Sequence, residues 1–232
     1  MSIPIIGQKK GFLISFEGSD GTGKTTQVKL LTEALQTTGF KVSSFRSPGS
    51  SGVGEQIREI VKNPNSKLCA EAELLLMNAD RAQLVSQKIR PALESGNICI
   101  CDRFIYSTIV YQGFGRGIDM HLIKALIQYT VGDTQPDLTF VMNVSEENAA
   151  KRTSKRGTTD RFEQEKSDYQ ARIRQGFEWL ITKESESNGK LVAINANGTI
   201  EDIHNEIYRC TAFRIGQLRE GSLTNTQKLI IS

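Results

Sequence analysis

Gly18-Ser19-Asp20-Gly21-Thr22-Gly23-Lys24-Thr25 carries the spacing G-x-x-x-x-G-K-T, and its reading decides the fold. Glycines at the turning points let successive backbone N–H groups curl around phosphate oxygens. Lys24 supplies a cation for β- and γ-phosphates, and the Thr25 hydroxyl supplies a ligand for Mg²⁺. The flanks agree. Phe12-Leu13-Ile14-Ser15-Phe16 is a short apolar run suited to a strand, and Val28, Leu31 and Leu35 recur at helical spacing after the loop. A strand, a glycine-rich loop and a helix N-terminus form the anion site that a triphosphate requires. Gly18 through Thr26 is therefore the expected ATP-binding segment.

Outward from the loop, five strand-like runs at 11–17, 41–46, 97–101, 137–144 and 190–195 alternate with helical patterns. The helices are expected at about 24–38, 52–62, 69–94, 104–113, 118–130, 145–155, 160–184 and 199–210. Such alternation predicts an α/β fold, a parallel five-stranded sheet with helices on both faces. Phosphate chemistry then gathers at the carboxyl ends of the strands. Pro91 falls inside one helical pattern and is expected to kink or end it. The expected organisation is a flexible N-terminus over 1–10, one domain over 11–212, and a C-terminal extension over 213–232 that either frays or docks as an edge.

The 232 residues are 38 % hydrophobic and 24 % charged, with a net charge of +3, as in an ordinary soluble globular protein. No run approaches the roughly 18 apolar residues of a membrane span. The apolar patch of the first ten residues is too short, and its charges too late, for a secretion signal. The expected location is the cytoplasm, with no membrane partner. So mild a charge, with 7 % aromatics, argues against a nucleic-acid partner. Cys69, Cys99, Cys101 and Cys210 form no C-x-x-C pair, which makes a zinc site improbable. Cys99 and Cys101 alternate within one strand and are expected on its opposite faces, as small hydrophobes in a reducing compartment.

Cys101-Asp102-Arg103 closes the third strand beside the loop. Asp102 is placed there to reach Mg²⁺ or its water shell, and Arg103 to clamp a substrate phosphate. Arg46 ends the second strand and points into the same crevice, with Pro48-Gly49 making the turn. Arg58 and Arg81 lie on the helices that follow.

Arg46-Ser47-Pro48-Gly49, Ala79-Asp80-Arg81, Asp102-Arg103, Ser107-Thr108, Tyr111-Gln112-Gly113, Gly115-Arg116-Gly117 and Pro136-Asp137-Leu138-Thr139 follow the loop in unbroken order. With it they resemble thymidylate kinase of the bacterial type, over about residues 11–210. The resemblance implies a nucleoside-monophosphate kinase fold, ATP and Mg²⁺ as cosubstrate and metal, and transfer of the γ-phosphate to dTMP by a homodimer. The helix over 69–94 is the candidate contributor to that interface. Carried over, Asp20 approaches the sugar 3′-hydroxyl, and Arg103 holds the dTMP phosphate with Arg46 nearby. Arg81 donates to thymine O4. Thr108 and Gln112 line the base pocket, and Pro48, Arg58, Ser107 and Tyr111 complete it. Two positions depart from the family pattern. Ser47 stands where the family usually has Glu, and Met77 stands where a Phe usually stacks on the thymine ring. A thioether on an aromatic ring still gains about 0.3–1.5 kcal/mol.

An arginine on the transferring oxygens is worth roughly 10³–10⁵ in rate, and the loop from Gly18 to Gly23 has none. The basic stretch from Lys151 to Arg161, broken by Gly157, is the candidate lid. Arg156 is the expected catalytic arginine, with Arg152 and Arg161 as alternates and a second helix starting near Thr159 or Asp160. Glu163 is a further candidate for the metal network. Two readings compete. A P-loop kinase for another nucleoside monophosphate or a deoxynucleoside fits the same strands, and a nucleoside acceptor would need a base such as Glu17 or Asp20. A GTPase-type switch would need Asn-Lys-x-Asp on a late strand, and Asn195-Ala196-Asn197 is the nearest approach to it.

Overall fold

The computed structural model describes residues 11–154, 160–183, 186–187, 189 and onward to 222. The expected flexible N-terminus, Lys155 to Thr159 of the lid with Arg156 among them, and the last ten residues lie outside the described residues. Five strands, β1 (Phe12–Glu17), β2 (Val42–Arg46), β3 (Ile98–Asp102), β4 (Leu138–Asn143) and β5 (Leu191–Asn195), form one parallel sheet in the order β2-β3-β1-β4-β5. Each lies within a residue of its expected run. The chain winds outward from β1 in both directions, so the crevice at the carboxyl end of β1, between β3 and β4, is the natural ligand site.

Strand alternation sorts the core into two layers. Phe12, Ile14, Phe16, Ile98, Ile100, Leu138 and Phe140 face α1 (Lys24–Thr37) and α9 (Ile200–Ser222), where Leu31, Leu35, Ile203 and Ile207 meet them. Leu13, Cys99 and Cys101 face the other way, toward Leu84, Phe104, Ile109 and Ile123. The expectation that the two cysteines sit on opposite faces is thus corrected. Residues two apart on a strand share a face, and both thiols are buried in the same layer.

Helices α2 (Gly52–Lys62), α6 (Met120–Val131) and α7 (Glu146–Ser154) follow their expected spans closely. Four others differ. The pattern over 69–94 divides into α3 (Ala70–Leu84), a π-helical segment Val85–Ile89 and α4 (Arg90–Glu94). Arg90 N–H donates to Val85 carbonyl, five residues back, and Pro91 falls in the first turn of α4. There its missing donor is harmless, so Pro91 does not end the helix. After β3, the short α5 (Ile105–Thr108) widens into a second π-helical segment, Ile109–Gly115, a form that concentrates at functional sites. The helix expected from 160 begins only at Ser167, as α8 (Ser167–Thr182). Asp160 explains the delay, because its Oδ1 accepts from the N–H groups of Phe162 and Glu163 and folds 160–166 into a turn. At the other end, α9 continues to Ser222, well past the expected 210.

The β2–α2 turn is held by a close approach. A Cβ on Gly54 would sit 2.4 Å from Asp80 Oδ1 and 2.9 Å from Ser51 Oγ. Asp80 in turn accepts from Ser47 Oγ at 2.7 Å and from Gly49 N–H at 3.1 Å. Gly54→Ala is expected to push Asp80 off this turn and to cost about 1–3 kcal/mol of stability. Urea unfolding of the two proteins side by side measures it, and an unchanged midpoint would contradict the packing described here.

Candidate active site

Phe16 and Asp102 are paired in register, and Arg103 N–H continues the ladder to Phe16 carbonyl at 2.9 Å. At that point β3 turns sharply. Arg103 has φ +68°, a left-handed conformation that costs a residue with a side chain roughly 1–2 kcal/mol. Its side chain supplies the compensation. Arg103 Nη1 donates to Gly18 carbonyl at 2.9 Å, and Nη2 donates to Asp20 Oδ1 at 2.7 Å. Glu17, fully buried at the end of β1, closes the turn from beneath: its carboxylate accepts from Phe104 N–H at 2.9 Å and Ser107 Oγ at 2.6 Å. Burial raises the Glu17 carboxyl above its ordinary range, against the opposing effect of Ser107 and Arg103.

The loop itself is tightly drawn. Gly23 sits at φ +89° as the N-cap of α1, and Thr22 Oγ1 donates to Ser19 carbonyl. Lys24 Nζ donates to the carbonyls of Gly18 and Ser19 at 3.0 and 2.8 Å. Burial, with the charge of Arg103 alongside, pulls the Lys24 ammonium down to about 8, while Asp20, Asp102 and Glu17 partly restore it. For Asp20, burial pushes the carboxyl up, but Arg103, Lys24 and Lys62 together prevail and take it to about 2. Thr25 Oγ1 donates to Asp102 Oδ2 at 2.6 Å. This juxtaposes a hydroxyl and a carboxylate, the hard oxygen donors that Mg²⁺ takes alongside phosphate oxygens and water. Thr26 is exposed on the first turn of α1.

A cleft of about 630 Å³ opens over these groups. Its wall includes Asp20, Lys24, Thr25, Arg46, Pro48, Arg58, Met77, Asp102, Arg103, Ser107, Tyr111 and Gln112. The Arg103 guanidinium lies 5.0 Å from the Tyr111 ring centre. Arg58 Nη1 donates to Pro48 carbonyl at 2.9 Å. Arg46 Nη2 pairs with Glu55 Oε1 of α2 at 2.8 Å, so the carboxylate missing at Ser47 is supplied one helix away. Met77 both walls the cleft and packs with Ile57 and Val61.

Arg81 and Thr108 are fully buried and lie outside that wall. None of the three guanidinium nitrogens of Arg81 has a hydrogen-bond partner among the described residues, nor has Thr108 Oγ1 or Gln112 Oε1. Arg81 is instead 5.8 Å from the Phe104 ring centre. Glu163 turns away: its Oε2 accepts from Asp160 N–H, and it is not part of the cleft wall.

Both sides of the lid segment touch this site. Arg152, on α7, donates to Gly21 carbonyl at 3.3 Å and Ala196 carbonyl at 2.9 Å. Gly21, at φ +80°, admits α7 so closely that a Cβ would stand 2.7 Å from Ala149 carbonyl. Beyond the undescribed residues, Arg161 is buried, with Nε donating to Val61 carbonyl and Nη2 to Glu73 Oε2. That makes Arg161 an anchor, committed to the protein by Val61 and Glu73. Sequence reasoning did not single out Lys62, Asp160 and Phe162, which also wall the cleft, with Lys62 paired to Asp160 at 2.6 Å. Nor did it find Glu73. The signal for Glu73 was present, since Glu73, Met77 and Arg81 recur every four residues on one face of α3.

A family model described as thymidylate kinase matches residues 16–207. The chain belongs to the thymidylate kinase family. It is 38 % identical over 202 residues to the thymidylate kinase of Halothermothrix orenii, spanning 86 % of this chain and 95 % of that one. To that of Maridesulfovibrio salexigens it is 42 % identical over 202 residues, 84 % and 92 % of the two chains. The crystal structure of thymidylate kinase from Ehrlichia chaffeensis superposes with a TM-score of 0.70 at 31 % identity, covering 86 % of this chain and 97 % of that one. The five-stranded parallel sheet is that of a P-loop nucleoside-monophosphate kinase.

A Lys24 titrating near 8 loses its charge as pH rises from 7 to 9, and bound phosphates hold the proton on. ATP binding is therefore expected to take up a fraction of a proton near pH 8 and almost none at pH 6. Affinity should fall above pH 8 by up to about tenfold per pH unit. Calorimetry in two buffers of different ionisation heat measures the uptake. Lys24→Arg, charged throughout, should abolish it.

Proposed function

We propose that this cleft performs in-line phosphoryl transfer with Lys24, Arg103 and a lid arginine holding the charge. As a thymidylate kinase, the chain converts ATP and dTMP to ADP and dTDP. An oxygen of the dTMP phosphate attacks the γ-phosphorus, and the bond to the β,γ-bridging oxygen breaks as ADP leaves. The attacking phosphate, with a second pKa near 6, has no proton to lose at neutral pH, so positioning and charge suffice. The supporting observation is the state of the two acidic side chains. Glu17 is sequestered under the Arg103 turn, and Asp20 is held near 2 by its cationic neighbours. Neither suits the removal of a proton from a nucleoside hydroxyl, whereas Arg46, Arg58 and Arg103 all face an acceptor that carries its own negative charge.

Lys24 and the loop N–H groups take the ATP phosphates, with Arg152 against the loop and Arg156 closing from the lid. Arg103 takes the dTMP phosphate, Asp20 the sugar 3′-hydroxyl, and Met77, Tyr111, Gln112 and Arg81 the base. Thr25 and Asp102 fit Mg²⁺, which when bound neutralises the β- and γ-phosphate oxygens. We further assign a homodimer. Leu75 on α3 and Leu122 and Tyr129 on α6, a helix that packs on α3, are exposed, apolar surface of the kind copies of a chain cover. Cysteines held as thiols, two of them buried in the core, and nucleotide substrates fit work in the cytoplasm. Among the described residues, no helix is long and apolar enough to cross a membrane.

ADP release with a panel of dTMP, dUMP, dCMP, dGMP and thymidine tests the acceptor. dTMP should lead, with dUMP behind by the roughly 10–200-fold that one methyl is worth. Thymidine as the best acceptor would overturn the reading. In single-turnover experiments Arg156→Ala should lower the rate at least about a hundredfold, consistent with what such arginines contribute, while ATP still binds. A near-normal rate would remove the lid arginine from the chemistry.

A further inference from the structure

Glu73 is buried on α3 and is not among the residues that wall the cleft. Its Oε1 accepts from Gln112 Nε2 at 2.7 Å, and its Oε2 from Arg116 Nη2 at 2.8 Å and Arg161 Nη2 at 2.6 Å. Arg116 and Arg161 both donate to this carboxylate, so its oxygens serve as acceptors. Gln112 must therefore present its NH₂ to Glu73. Its carbonyl Oε1 is left over, buried and without a partner among the described residues, on a residue that walls the cleft. Met77 and Arg81 follow Glu73 at four-residue intervals on the same helix face. The face thus carries, in order, a fixed acceptor through Gln112, an apolar thioether, and, buried behind the cleft wall, a guanidinium with donors only.

We infer that Glu73 is a specificity-determining positioning residue, which locks the Gln112 amide so that the base pocket accepts an imide edge and rejects an amidine edge. The inference rests on the function proposed above. A thymine or uracil edge offers a ring N–H to Gln112 Oε1 and a carbonyl oxygen to Arg81. A cytosine edge offers a bare ring nitrogen and an amino group, so acceptor meets acceptor and donor meets donor. Leaving buried polar groups so mismatched is worth far more than a missing methyl. Were Gln112 free to flip, its NH₂ would serve the cytosine ring nitrogen and half of the penalty would vanish.

The test compares kcat/KM for dTMP, dUMP and dCMP in the wild-type protein and in Glu73→Gln, whose amide can donate as well as accept. The dTMP:dCMP ratio should fall at least tenfold, while the dTMP:dUMP ratio stays within about twofold, since both share the imide edge. In a Gln112→Met background, Glu73→Gln should change the dTMP:dCMP ratio no further. Parallel movement of both ratios, an unchanged dTMP:dCMP ratio, or a full additional effect in the Gln112→Met background would each overturn the inference. If Glu73→Gln fails to fold, Glu73→Asp keeps the charge for Arg116 and Arg161 and withdraws it from Gln112, with the same outcomes expected. A wild-type protein that does not prefer dTMP over dCMP at all would instead refute the proposed acceptor, whatever the variants do.

Discussion

Ionised groups in a cleft dry enough for phosphoryl transfer must be paired before any substrate arrives, or desolvation neutralises them. The neighbouring carboxyl ends of β1 and β3 meet that constraint. Glu17 ends one strand and Arg103 follows the other, and the left-handed turn at Arg103 aims its guanidinium back at Gly18 and Asp20. The turn is tolerable because Glu17 holds the next N–H and the Ser107 hydroxyl. The loop and Arg103 are thus tied to each other, and the sheet register that pairs Phe16 with Asp102 sets the distance between them.

What was legible in the sequence was local. The loop, its strand and its helix are contiguous, and each strand shows as a short apolar run, so β1 to β5 and their parallel arrangement follow directly. What was not legible depends on partners far along the chain. Arg46 departs from the family pattern at the neighbouring Ser47, and nothing local says that Glu55 takes over. Asp160 looks like a helix start, yet its side chain captures the N–H groups that would open the helix, and α8 waits until Ser167. The π-helical turns at 85–89 and 109–115 read as plain helix, because apolar spacing alone does not register one extra residue in a turn. The cysteine expectation failed for another reason, a miscounted strand period that the sequence itself could have corrected.

The same separation explains how the departures are absorbed. Ser47 is not simply a lost carboxylate. Its hydroxyl donates to Asp80, which also takes the Gly49 N–H, so the turn that carries Arg46 is anchored from α3 while the arginine is paired from α2. Holding the turn and pairing the arginine fall to two acids, Asp80 and Glu55, on two helices. Met77 likewise trades a flat aromatic face for a flexible one, and keeps it in place by packing against Ile57 and Val61 of the same α2. The Arg46 side of the cleft is therefore a property of the α2–α3 pair more than of the loop.

One pattern runs through the arginines. Arg103 has Asp20, Arg46 has Glu55, and Arg116 and Arg161 have Glu73, each a carboxylate standing behind the cationic group. Arg58 has a backbone carbonyl. Arg81 is the exception: it is fully buried, feels Glu17 and Asp80 only at a distance, and its guanidinium has no hydrogen-bond partner among the described residues. A guanidinium carries five donors and no acceptor, and burying it unsatisfied costs several kcal/mol. A fold that gives each of these other guanidinium groups an acceptor, and among the described residues gives Arg81 none, leaves those donors open to a ligand. On the proposed reading that partner is the carbonyl of the base, so the energy of the unmet donors becomes selectivity for the acceptor that satisfies them.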